Sequence, residues 1–100
     1  MADHLALERS ELALYAVNES PLYFGLSKPF IETLRARRRD GTYDPADARD
    51  GWTRVARSAL RRYLREFGRS AMPAGMNRTS ELEAVGFEIA EHYSEAIMAP

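Results

Sequence analysis

The chain has 100 residues, 45% of them hydrophobic and 29% charged, with no cysteine and a formal net charge of -1. That length supports one domain spanning 1–100, whose folding buries only about two-thirds of the unfolded surface, and the lack of cysteine excludes a disulfide framework, a thiolate zinc site and a catalytic thiol. No apolar run reaches the ~18 residues of a membrane span, and Asp3 stands where a signal peptide needs a basic flank, so the expectation is a soluble cytoplasmic protein with no membrane partner.

Asp3 can cap a first helix that runs to about Asn18, with Leu5, Leu12, Tyr15 and Ala16 as its buried stripe. Ser20-Pro21 reads as a second start, with Ser20 as cap and Pro21 at the first helical position, where a missing N–H costs nothing. The helix from Pro21 to about Arg39 is interrupted by Pro29, which removes a helical hydrogen bond and disfavours helical geometry at Lys28. This predicts either a kink or a break with Ser27 capping the second half. Phe30, Ile31 and Leu34 face the core by their spacing, and Gly41 ends the helix in a left-handed cap.

The third helix carries the clearest signals. Asp44 caps it, Pro45 takes the first position, and Asp47 and Asp50 stand near the positive end of the helix dipole. Trp52, Val55, Ala56, Ala59, Leu60, Tyr63, Leu64 and Phe67 recur at steps of three and four and form one wide apolar face before Gly68 stops the helix. The stretch from Arg69 to Thr79, with Pro73, Gly75 and Asn77, is the longest connection. A capping box, Ser80-Glu81-Leu82-Glu83, opens the last helix, whose stripe is Leu82, Val85, Ile89, Tyr93, Ala96 and Ile97. No segment alternates with period two, so the expected fold is an all-α bundle of four helices, or five if the second breaks near Pro29.

The near-zero net charge conceals a segregation. Residues 1–34 carry -3, residues 35–69 carry +6 and residues 70–100 carry -4. At about 100° per residue, Arg54, Arg57, Arg61 and Arg65 fall within roughly 80° of one another, nearly opposite the apolar face of the third helix. Arg37, Arg38 and Arg39 lie nearby in sequence. Guanidinium groups suit forked hydrogen bonds to phosphates or to an acidic protein surface. The alternatives are a solvated face, a protein partner and nucleic acid, and the acidic ends either neutralise the stripe internally or leave it to a partner. Tyr43 is either a staple packed on the third helix or an exposed anchor for that partner.

Catalytic chemistry finds no such support. Glu88, His92 and Glu95 share a face of the last helix, but one helix supplies too few metal ligands and the paired Glu-x-x-His motifs of di-metal bundles are absent. The serines lack a Gly-x-Ser-x-Gly elbow, and the scattered glycines form no phosphate loop. The expectation is a non-enzymatic protein with no cofactor and no metal.

Leu22-Tyr23, Pro29-Phe30-Ile31, Leu34, Gly41-Thr42-Tyr43-Asp44, Ala48, Trp52, Ala59, Tyr63 and Glu66-Phe67-Gly68 together resemble a set of short proteins of phages, prophages and mobile elements. The resemblance spans about residues 12–68 and centres on the Gly-Thr-Tyr-Asp turn and the Tyr-x-x-Glu-Phe-Gly helix end. It carries no catalytic residues. It implies a small accessory protein in the host cytoplasm that binds a host protein or ribonucleoprotein complex, as anti-CRISPR and other anti-defence inhibitors do. Nucleic acid remains the second partner class, and the chain itself is expected as a monomer or a homodimer.

Overall fold

The computed structural model describes residues 4–99, with side chains from Glu8 onward, so the cap expected at Asp3 and the stripe position Leu5 lie outside the described side chains. The fold is all-α. Helix α1 spans His4–Asn18, α2 Ser20–Leu22, α3 Lys28–Asp40, α4 Pro45–Phe67, α5 Thr79–His92 and α6 Ser94–Met98. Helices α1, α4 and α5 pack on one another, while α3 and α6 pair along their flank. The shortest dimension is 18 Å, close to two helix diameters of about 10 Å.

The second start lies one residue earlier than expected. The first helical bond runs from the Tyr23 N–H to the Glu19 carbonyl at 3.0 Å, so Glu19 is the cap, without a side-chain bond, and Ser20 is already helical. Pro29 neither breaks nor caps the chain. Between α2 and α3 the backbone widens into a π turn, Tyr23–Ser27, in which the Lys28 N–H donates to the Tyr23 carbonyl five residues back. The extra residue accommodates the conflict between a proline ring and the preceding helical turn, so the helix runs through to Asp40. Ser27 therefore stays helical (φ -68°, ψ -48°) and caps nothing. Its hydroxyl is buried and faces that of Tyr93, yet neither completes a hydrogen bond of good geometry. Burial raises the Tyr93 hydroxyl above the ordinary tyrosine range, and the Ser27 hydroxyl offsets part of that.

Helix α4 forms as its sequence dictates. The Asp44 carboxylate accepts from the Ala46 N–H at 3.0 Å, and Pro45 needs no partner. Gly41 adopts φ 74° before it and Gly68 φ 95° after it, both in the left-handed region that glycine enters without a Cβ conflict. Trp52, Val55, Ala56, Ala59 and Leu60 are buried against Leu12, Ala13 and Ala16 of α1 and Leu82, Val85 and Ile89 of α5. Each such large apolar side chain contributes roughly 1.5–3 kcal/mol by leaving water. Phe67, expected on the same face, is 55% exposed because it lies at the helix end, edge-on to Tyr15 and tilted against Tyr63.

Two glycines allow close approaches. A Cβ on Gly86 of α5 would stand 2.9 Å from the Trp52 carbonyl carbon and oxygen and 3.0 Å from the Thr53 nitrogen, so the two backbones touch there. Gly51 of α4 lies beneath the Phe30 ring. That ring meets the Trp52 indole edge-on, with centroids 5.0 Å apart, and Tyr93 stacks on the indole at 5.8 Å. Rings at such separations add about 0.5–1.5 kcal/mol per pair beyond their burial.

The last helix differs from expectation at both ends. Helix α5 begins at Thr79 with Arg78 in the cap position and no side-chain cap, so the Ser80–Glu83 box does not form. In the same turn Glu81 accepts from Arg9 of α1 at 2.6 Å. At Tyr93 (φ -107°, ψ 8°) the helix stops, and α6 turns away toward α3. Ser94 Oγ takes up the Glu91 carbonyl there. The turn buries Ile97 and leaves Ala96 exposed, against its expected place in the stripe.

Candidate partner-binding face

The arginine stripe points outward. Arg54, Arg61 and Arg65 are exposed and Arg57 is half-buried, on the side of α4 opposite the core. Among the described residues none of the four has a carboxylate within ion-pair distance, whereas other arginines do: Arg9 with Glu81 at 2.6 Å, Arg37 with Asp47 at 3.8 Å and Arg62 with Glu19 at 3.8 Å. Several carboxylates have other partners. Glu81 meets Arg9, Glu88 accepts from Ser10 at 3.3 Å, and Glu66 accepts from the Tyr15 hydroxyl at 2.7 Å. Burial, then that bond and the charge of Glu66, raise the Tyr15 hydroxyl far above the ordinary tyrosine range. The four stripe guanidiniums are thus not neutralised by the acidic segments, although Arg62 of the basic middle is paired with Glu19 across the bundle.

The residues expected to act together divide between two surfaces. Arg37 and Arg54 line one small cavity with Asp47 and Asp50, so this end of the stripe is electrostatically mixed. At the other end Arg61 and Arg65 are joined by Arg69, beyond the Gly68 break, on the edge of a cleft of about 710 Å³. Leu60, Met72 and Met76 give that cleft an apolar lining. Arg38 turns the other way and stands over the Tyr43 ring, 5.8 Å from its centroid. Tyr43, 37% exposed, lines a separate groove with Pro45, Ala48 and Trp52, beside the exposed Phe87 and Met98. It therefore packs on the start of α4 and keeps an accessible edge.

Arg69 and the two methionines were missed by sequence periodicity because they lie in a connection. The available signal was Met72 and Met76, two apolar residues four apart where a loop calls for polar ones. Phe87, off the α5 stripe, signalled the second groove. Among the described residues no three of His, Asp and Glu stand close enough to hold a metal ion, and no helix is long and apolar enough to cross a membrane. Comparison with protein-family models, curated proteins and solved structures gives no match to the chain.

Proposed function

We propose that this chain is a non-enzymatic binding protein of the phage or mobile-element type that inhibits a host macromolecular complex, protein or ribonucleoprotein, through the arginine face of α4. Its sharpest form is an anti-CRISPR or other anti-defence inhibitor. The observation that carries the reading is the set of guanidiniums at Arg54, Arg57, Arg61 and Arg65, none of which has an ion pair among the described residues, whereas Arg9, Arg37 and Arg62 do. Charges so placed add little to stability and are available for contacts that gain strength once a partner excludes water.

The test is affinity capture from a defence-competent host lysate with the wild type and with the Arg57→Glu/Arg61→Glu variant. Wild type retains a defined complex and the variant loses about tenfold or more of it, while both unfold at the same temperature. Capture of no defined complex, or equal capture by the two, refutes the reading. The same unpaired guanidiniums favour one alternative, a nucleic-acid-binding accessory domain. That reading requires a gel shift at low salt whose affinity falls steeply with salt as phosphate counterions are released.

A further inference from the structure

The apolar cleft beside α4 has the makings of a more specific site. Its one lip is a row of cations, Arg61 and Arg65 one helical turn apart and Arg69 past the helix end. Its lining is the partly exposed Leu64 and Pro73 over the buried Leu60, Met72 and Met76, and its other lip is Ala74 and Gly75 in the connection to α5. That connection is built rather than slack: the Met76 N–H donates to the Pro73 carbonyl at 3.3 Å and the Arg78 N–H to the Gly75 carbonyl at 3.0 Å. Gly75 takes φ +96°, and the Arg78 side chain folds against it.

We propose that this cleft docks an acidic peptide segment of the partner, with an apolar side chain held between two or more carboxylates. The inference rests on the reading of α4 as the partner-binding face and names what that face recognises. Charge sets the sign of the occupant, because among the described residues no carboxylate pairs with Arg61, Arg65 or Arg69 and none lines the cleft. Spacing suits a peptide: Cβ atoms at i and i+4 of a helix lie about 5–6 Å apart, and alternate residues of an extended chain lie roughly 7 Å apart on one face. The lining selects an aliphatic anchor. Leu64, Pro73 and Ala74 line the cleft and keep surface open to such a side chain, and the unbranched, polarizable Met72 and Met76 belong to the buried core beneath. No aromatic ring lines the cleft, whereas single-stranded nucleic acid is held largely by stacking on such rings.

The experiment uses the full chain as bait for a displayed library of random nonapeptides, with Arg65→Glu/Arg69→Glu as the counter-selected protein. All the substituted positions are exposed, so the fold tolerates them. The expected sequences carry at least two acidic residues around one aliphatic residue. The best peptide, labelled with fluorescein, then loses about tenfold in affinity, or more, when its acids become amides, when its aliphatic residue becomes serine, and when Ala74→Glu places a carboxylate on the far lip. No enrichment over the counter-selected protein overturns the proposal, as does enrichment that lacks either the acids or the aliphatic anchor. Displacement of the peptide by an equal concentration of single-stranded DNA overturns it in favour of nucleic acid. If peptides fail while lysate capture still depends on Arg57 and Arg61, this inference falls and the broader reading stands; if capture fails as well, both fall.

Discussion

Replacing Gly86 by alanine tests the closest contact in the core. In an isolated helix the exchange is favourable by about 1 kcal/mol, because glycine loses the most backbone entropy on becoming helical. In this bundle the new methyl group would meet the Trp52 carbonyl at 2.9 Å and the Thr53 nitrogen at 3.0 Å, both backbone atoms that no rotamer change can move. Helix α5 must then withdraw along a seam that holds Leu82, Val85 and Ile89 against α4. Overpacking of this kind costs about 2–3 kcal/mol, at the upper part of its usual range. After the gain in propensity, the net loss is about 1–2 kcal/mol, and for a domain of this size that lowers Tm by about 4–16 °C. Gly25 supplies the control, since a Cβ there meets nothing within 4 Å and Gly25→Ala leaves stability unchanged or slightly raised. Urea denaturation of both variants, followed by circular dichroism, gives the comparison. A Gly86→Ala protein as stable as the wild type would refute the close crossing of α4 and α5.

Two further variants probe single bonds. Asp44→Ala removes the acceptor of the Ala46 N–H and lowers stability by about 0.5–2 kcal/mol in the same assay, and Asp44→Asn restores most of it. Tyr15 concerns alkaline stability. Its hydroxyl holds its proton more tightly folded than unfolded, so its contribution is complete below the ordinary tyrosine value of 10.0 and is lost as pH rises above it, because the unfolded chain ionises first. Tyr15→Phe therefore flattens the decline of Tm with pH above that value, leaving the smaller dependence from Tyr93. An unchanged slope means that Tyr15 ionises alike in both states.

What the sequence made legible was whatever depends on short spacing. Asp44-Pro45, Gly41 and Gly68 define α4 locally, and its apolar periodicity predicts both the buried face and the opposite arginine face. Where two distant segments compete, local rules fail. The Ser80–Glu83 box is a valid start signal, but the helix begins at Thr79, so Ser80 is already helical and cannot act as the cap, and Arg9 of α1 holds the same turn through Glu81. Gly86, which local reasoning counts as a defect, is required by the neighbouring backbone. Pro29 looked like a break because its effect on hydrogen bonding is local, while the π turn that absorbs it involves five residues before Lys28. The candidate site was half legible for the same reason: the stripe lies on one helix, but the cleft needs a loop folded back against it.

Helix α4 keeps its core contacts and its exposed charge on separate residues. Trp52, Val55, Ala56, Ala59 and Leu60 hold the bundle together, while Arg54, Arg61 and Arg65 are exposed. Surface substitutions away from caps and networks typically change stability by no more than about 0.5 kcal/mol. The exposed side of the helix can therefore be rewritten by mutation almost without regard to folding, so its charge can change residue by residue on an unchanged frame.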